Sequence, residues 1–149
     1  MRLAFAMFAD SADATPEGKV FISGGGLDVL QALSFPATHP VLTLVMQLLV
    51  GPEDKDKGEQ LVTFEGTTPS GELWLRGESA PLSYREPDAA GRLAKYNFII
   101  KFAMLPLPLE GKYTIRVKVS DQEIATLPLW ADLVTPSDGD NQPASQGEE

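Results

Sequence analysis

From Tyr113 to Val119 the chain alternates without a break: Tyr113, Ile115, Val117 and Val119 are apolar, and Thr114, Arg116 and Lys118 between them are polar. Successive side chains of an extended chain point to opposite faces, so a period of two predicts a half-buried strand with all four apolar groups on one side. Gly111 precedes this strand and Ser120-Asp121-Gln122 reads as a turn. Glu123 to Trp130 is then expected to return as an antiparallel partner with Ala125, Leu127 and Leu129 inward. Pro128 has no N–H to offer a ladder, which predicts that the partner lies at a sheet edge.

The same period recurs upstream. Lys95 to Ala103 places Tyr96, Phe98, Ile100 and Phe102 on one face and Lys95, Asn97 and Lys101 on the other. Val41 to Val50 carries Leu42, Leu44, Met46, Leu48 and Val50 on one face, and its second face is also largely apolar, as expected of a central strand covered on both sides. Length alone leaves a helix open there; Pro40 before it, Gly51-Pro52 after it and the β-branched Val41, Thr43 and Val45 favour a strand. Shorter strands are expected at Leu3 to Phe8, Val20 to Ser23, Gln60 to Glu65 and Glu72 to Arg76. No long segment has the ~3.6-residue period of an amphipathic helix, and Leu27 to Leu33 could hold a short helical turn at most. About seven or eight strands at this spacing predict an all-β domain, an immunoglobulin-like or C2-like two-sheet antiparallel β-sandwich.

Three connections stand out: the charged Gly51 to Gly58, the long Ser79 to Gly91, and the stiff apolar Leu105-Pro-Leu-Pro-Leu109. From Thr135 onward apolar periodicity ends. Four carboxylates, Asp138, Asp140, Glu148 and Glu149, sit there with no lysine or arginine. The expected organisation is a sandwich domain over 1–134 and a disordered acidic tail over 135–149.

Charge and cysteine content remove whole classes of function. Twenty-one acidic against twelve basic residues give a net charge of −9, which disfavours nucleic acid and anionic membrane surfaces as partners. The absence of cysteine removes disulfides, thiolate nucleophiles and the usual structural zinc sites, and suits a reducing, cytoplasmic compartment. The run Leu3 to Ala9 imitates the core of a signal peptide, but Asp10 interrupts it before the A-x-A stretch at Ala12-Asp13-Ala14, so an N-terminal strand is expected instead. Val41 to Val50 is too short to span a bilayer.

The chemical motifs are sparse. Gly24-Gly25-Gly26 has neither the Lys-Ser/Thr of a P-loop nor G-x-G-x-x-G spacing, and reads as a tight turn. His39 is the only histidine, and no G-x-S-x-G elbow presents a serine to it. It is expected in a rigid turn ahead of the Val41 strand. The Glu53 to Glu59 loop and Asp10, Asp13 and Asp28 offer carboxylates of the kind that hold Ca²⁺ on sandwich loops, but Lys55 and Lys57 oppose it and a solvated hairpin loop is expected. Trp74, Tyr84 and Trp130 are the aromatics that could form a sugar platform. Leu105, Leu107 and Leu109, in a proline-stiffened segment, could present an apolar face to a partner.

Three stretches carry a resemblance. They are Phe8-Ala-Asp10 with Pro16-Glu-Gly-Lys19 and Gly24-Gly-Gly26; Phe35-Pro-Ala-Thr-His-Pro40; and Leu105-Pro-Leu-Pro with Gly111-Lys-Tyr113 and Ala125-Thr-Leu-Pro-Leu129. The chain resembles a family of small bacterial β-sandwich proteins that is a domain of unknown function. The resemblance implies a stand-alone cytoplasmic sandwich beginning with a strand, and carries over no activity and no site residue.

The functional expectation is a non-enzymatic protein-interaction or accessory module that binds another protein or itself through Leu105, Leu107, Leu109 and Trp130. It needs no cofactor and no metal. The alternative is a carbohydrate- or Ca²⁺-binding sandwich using Trp74 and Tyr84.

Overall fold

The longest uninterrupted apolar strand of the sequence lies at the centre of one sheet. A computed structural model describes residues 1–135. In it β5 (Ala37–Val50) pairs antiparallel with β1 (Arg2–Ala9) on one side and with β8 (Ala94–Leu107) on the other. Five strands form the facing sheet: β4 (Val29–Ala32), β10 (Gln122–Leu133), β9 (Gly111–Val119), β6 (Val62–Thr67) and β7 (Leu73–Glu78), in that order. A hairpin of β2 (Ser11–Ala14) and β3 (Val20–Ser23) completes ten strands where seven or eight were expected. Among the described residues all pairings are antiparallel except β4 with β10, and the whole is an all-β two-sheet sandwich. Among the described residues no helix is long and apolar enough to cross a membrane.

The alternation places the core. Leu42, Leu44, Met46 and Leu48 of β5 meet Tyr113, Ile115 and Val117 of β9 and Leu127 and Leu129 of β10 in one apolar cluster, with Tyr96, Phe98, Ile100 and Phe102 packed against it. The second face of β5 is covered too, as expected. Val45 packs with Ala9 and Ala12 under Val20, Phe5, Met7 and Ile99, so the β2–β3 hairpin is the cover. Asn97 ties that cover down: it accepts from Gln47 Nε2 at 2.8 Å and donates to the carbonyl of Gly18 at 3.1 Å. Gly24 and Gly26 take positive φ, 63° and 81°, in the turn after β3, where a glycine has no side chain to clash.

Four expectations are corrected. Leu27 to Leu33 holds strand β4, not a helical turn. Its short run gives no clear period, and only the free side of β10 makes it a strand. Leu105-Pro-Leu-Pro-Leu109 is not an exposed loop. β8 runs on through Leu107 opposite Ala37, and Leu105 and Leu107 are each 2% exposed in the core. His39 lies within β5 opposite Leu105, not in a turn before it. The Gly51 to Gly58 connection is not wholly solvated. It turns through a 3₁₀ segment, Pro52–Asp54, and buries Asp54 against the N-terminal ammonium, the Gly51 amide at 2.9 Å and Lys57 Nζ at 3.1 Å. Of the 135–149 segment expected to be a disordered tail, residues 136–149 lie outside the described residues.

The expected edge at Glu123–Trp130 holds over most of its length. β4 joins β10 only from Trp130, whose amide donates to the carbonyl of Asp28 at 2.7 Å. Amides two residues apart on a strand point the same way, so Pro128 turns its nitrogen to the same open side and costs β9 no hydrogen bond.

Candidate functional site at the apolar end of the sandwich

The two ends of the sandwich differ in chemistry. At one end lie the charged 51–59 loop, the β9–β10 turn at Ser120-Asp121 and the start of β1. At the other lie the β8–β9 turn, the entry to β5 and the last residues of β4 and β10, and these are apolar.

Tyr113 organises that second end. Fully buried, its hydroxyl donates to the Leu109 carbonyl at 2.6 Å and accepts from the Leu109 amide at 3.0 Å. Burial pushes the Tyr113 phenol above its usual value, against the bond from Leu109. Its ring packs on Trp74 with centroids 4.5 Å apart, and Trp74 Nε1 donates to the Pro106 carbonyl at 2.7 Å. One tyrosine and one tryptophan therefore clamp the end of β8 and the β8–β9 turn to the five-stranded sheet.

Around that frame apolar side chains remain in solvent. Leu109 is 41% exposed, Leu133 48% and Leu33 76%, and Leu73, Trp130 and Val29 are exposed as well. Leu133 and Leu33 stand at the ends of neighbouring strands, since Ala32 and Leu133 are register partners and the Val134 amide donates to Ala32. Glu110 reaches the Leu133 amide at 3.3 Å, which brings the Leu109 turn to the same rim. A groove of about 400 Å³ opens beside it between Pro36, Pro106, Pro108, Leu73 and Trp74. Trp130 stands on the outer face beside Val29, with Lys112 Nζ 5.5 Å from its ring centre, a cation–π contact of about 0.5–1 kcal/mol.

Of the residues singled out from sequence, Leu109 and Trp130 reach this surface and Leu105 and Leu107 do not, because their alternation in β8 points both into the core. The three aromatics of the sugar reading do not converge. Trp74 packs inward at the apolar end. Tyr84 follows Leu82, which bridges to Gln60 at the opposite end of the sandwich, and Trp130 sits on the outer face. The carboxylates do not converge either: among the described residues no three His, Asp or Glu side chains are grouped to hold a metal ion. Asp13 pairs with Lys101 at 3.5 Å, and Asp54 is taken up by its own loop.

Sequence reading missed Leu33, Leu133, Val29 and Leu73. For Leu133 a signal existed, since the inward alternation of Leu127 and Leu129 continues through Ala131 to Leu133. Leu33 had none: an exposed leucine after a four-residue strand looks in sequence like any core leucine.

A second concavity, about 600 Å³, lies on the outer face of β9, β6 and β7. Register places Glu65 between Arg116 and Arg76, and Thr63 between Lys118 and Glu78. Arg76 binds Glu65 at 3.1 Å. The charges are largely matched on an exposed sheet, where such pairs contribute about 0–1 kcal/mol. His39 belongs to the other sheet and brings no base to this groove.

One solved structure agrees with the architecture. The crystal structure of the C-terminal domain of wzt aligns with a TM-score of 0.50 at 10% identity, over 90% of this chain and 74% of that one, a likeness of fold alone. An immunoglobulin-like protein, PA1606 from Pseudomonas aeruginosa, aligns with a TM-score of 0.39 at 9% identity, over 88% of this chain and 95% of that one. No curated protein matches the sequence. Residues 4–131 match the model of a family described as "Family of unknown function (DUF6941)", and the chain belongs to that family.

Proposed function

We propose that this protein is a non-enzymatic interaction module that binds another protein through the apolar end of its sandwich. The observation that carries this reading is the exposure of Leu33, Leu73, Leu109, Leu133 and Trp130 at one end, with the Leu109 turn held by Tyr113 and Trp74. Scattered single apolar residues are ordinary on a protein surface, whereas several brought to one end by the fold support a contact surface there. A pre-organised backbone lowers the ordering cost of binding. The lone imidazole, half-buried on β5 opposite Leu105, supports the non-enzymatic part. A core held without disulfides suits the reducing cytoplasm.

The test is capture from a lysate of the native organism followed by titration of the purified partner. Leu73→Asp and Leu109→Asp made together change two exposed residues. They are expected to leave the melting temperature near its original value and to weaken the partner by about tenfold or more, since each buried apolar anchor is worth at least ~1.4 kcal/mol. Equal affinity for the double variant would remove the apolar end from consideration.

A further inference from the structure

The apolar end contains a short sheet edge with no charge, proline or bulge in it, and we propose that two copies of this chain join there, β4 to β4, into one continuous ten-stranded sheet. The inference rests on the interaction reading above and names a second copy as occupant of that rim.

Sheet edges recruit further strands unless charge, proline, a bulge or a cover blunts them. The other edges of the two facing sheets are blunted. β8 carries Lys95, Lys101, Pro106 and a left-handed Met104 with φ of 52°. The open stretch of β10 has Pro128 and a register shift between Glu123 and Ala125. β7 carries Arg76 and Glu78, and Trp74 ties its start to β8. β1 shifts register between Leu3 and Phe5, and its Phe8 carbonyl is taken by the amides of Gly26 and Leu27. β4 reads Val29-Leu30-Gln31-Ala32, with no charge, proline or register shift.

Its backbone is free on the required side. The Asp28 and Ala32 carbonyls accept from the Trp130 and Val134 amides, at 2.7 and 2.8 Å, so the even-numbered residues bond to β10. Backbone groups alternate along a strand, which turns the N–H and C=O of Val29 and Gln31 to the open side. These are the groups that a second strand would use.

The sequence of the edge is complementary to itself. With a two-fold axis at Gln31, antiparallel pairing sets Gln31 opposite Gln31 and Leu30 opposite Ala32 within the strand, and brings Val29 of one copy toward the bend at Leu33 of the other. Apolar meets apolar and amide meets amide, and the paired stretch holds no charged residue. That matters for a chain of net charge −9, which repels its copies at most other surfaces. Shifting the pairing by two residues would instead set Val29 against Gln31. Leu33, the most exposed large apolar residue of the described chain, becomes covered.

The test is sedimentation of the full chain over a concentration series, with far-UV dichroism and melting temperature as folding controls. The mass is expected to rise with concentration toward twice that of one chain. Gln31→Lys and Gln31→Glu, each alone, place like charges at the axis and should each raise the dimer dissociation constant by about tenfold or more with the fold intact. Mixing Gln31→Lys with Gln31→Glu should restore a mixed dimer, which no general loss of stability would do. A chain that stays monomeric throughout overturns the inference, as does a dimer indifferent to both substitutions or unrestored by the mixture. The variant carrying Leu73→Asp and Leu109→Asp separates the two readings. It should keep the β4 dimer while losing the captured partner; loss of the dimer in it would overturn the β4 edge, and failure at Gln31 with capture intact would leave the apolar end standing alone.

Discussion

The hydroxyl of Tyr113 makes two hydrogen bonds to one residue, donating to the carbonyl of Leu109 and accepting from its amide. Four residues apart, they close the turn that carries β8 of one sheet into β9 of the other. The pairing fixes the backbone of Leu109 while its side chain stays in solvent, so the core residue holds an interaction residue in place.

Tyr113→Phe keeps the ring packing on Trp74 and removes both bonds. The expected loss is about 1–3 kcal/mol, the cost of leaving partly buried backbone groups unpaired, and urea denaturation should show it as a lower midpoint at unchanged slope. The phenol is held above its usual value of 10.0 in the folded state. A group with a raised folded value contributes stability below its unfolded value, and that stability drains away as pH climbs past about 10. The phenylalanine variant should show a shallower alkaline decline than the parent.

Asp54 gives the opposite limb. Burial pushes its carboxyl up, but bonds from the N-terminal ammonium, the Gly51 amide and Lys57 overcome this and hold it at about 2, below its usual 3.8. Depression of a carboxylate stabilises the fold above the unfolded value and is lost as pH falls from about 4 toward 2, here by about 2 kcal/mol. Asp54→Asn should lower stability at neutral pH by a similar amount and flatten that acid limb, as read from melting temperatures across the range.

Leu107 and Leu109 stand two residues apart in sequence and on opposite sides of the energetic ledger. Leu107→Ala opens a cavity in the core and should cost about 2–5 kcal/mol, whereas Leu109→Ala should stay within about 0.5 kcal/mol. Comparable losses at both positions in chemical denaturation would contradict the burial described above.

Gly77 serves close packing. A Cβ there would overlap the ring of Phe64, which makes an edge-on contact with Phe102 at 5.7 Å between centroids. Gly77→Ala must displace that ring and is expected to cost about 1–3 kcal/mol, with near-UV dichroism reporting the disturbed aromatic packing.

The sequence alone settled the strands whose side chains alternate cleanly: Tyr113–Val119, Lys95–Ala103 and both faces of Val41–Val50. Facing is a local property of an extended chain, so the residues themselves declare which side is buried. The same holds for the edge character of Pro128, a matter of one missing N–H. Ser11–Ala14 and Val29–Ala32 escaped reading because four residues give too short a period, and they are strands only because β3 and β10 offer them a ladder. Exposure at the candidate site was decided by tertiary structure. Leu105 and Leu107 look in sequence like the face of a stiff loop, and Leu33 and Leu133 like core. Their burial depends on where β8, β4 and β10 end relative to one another across the sandwich, a long-range relation that no window of sequence contains.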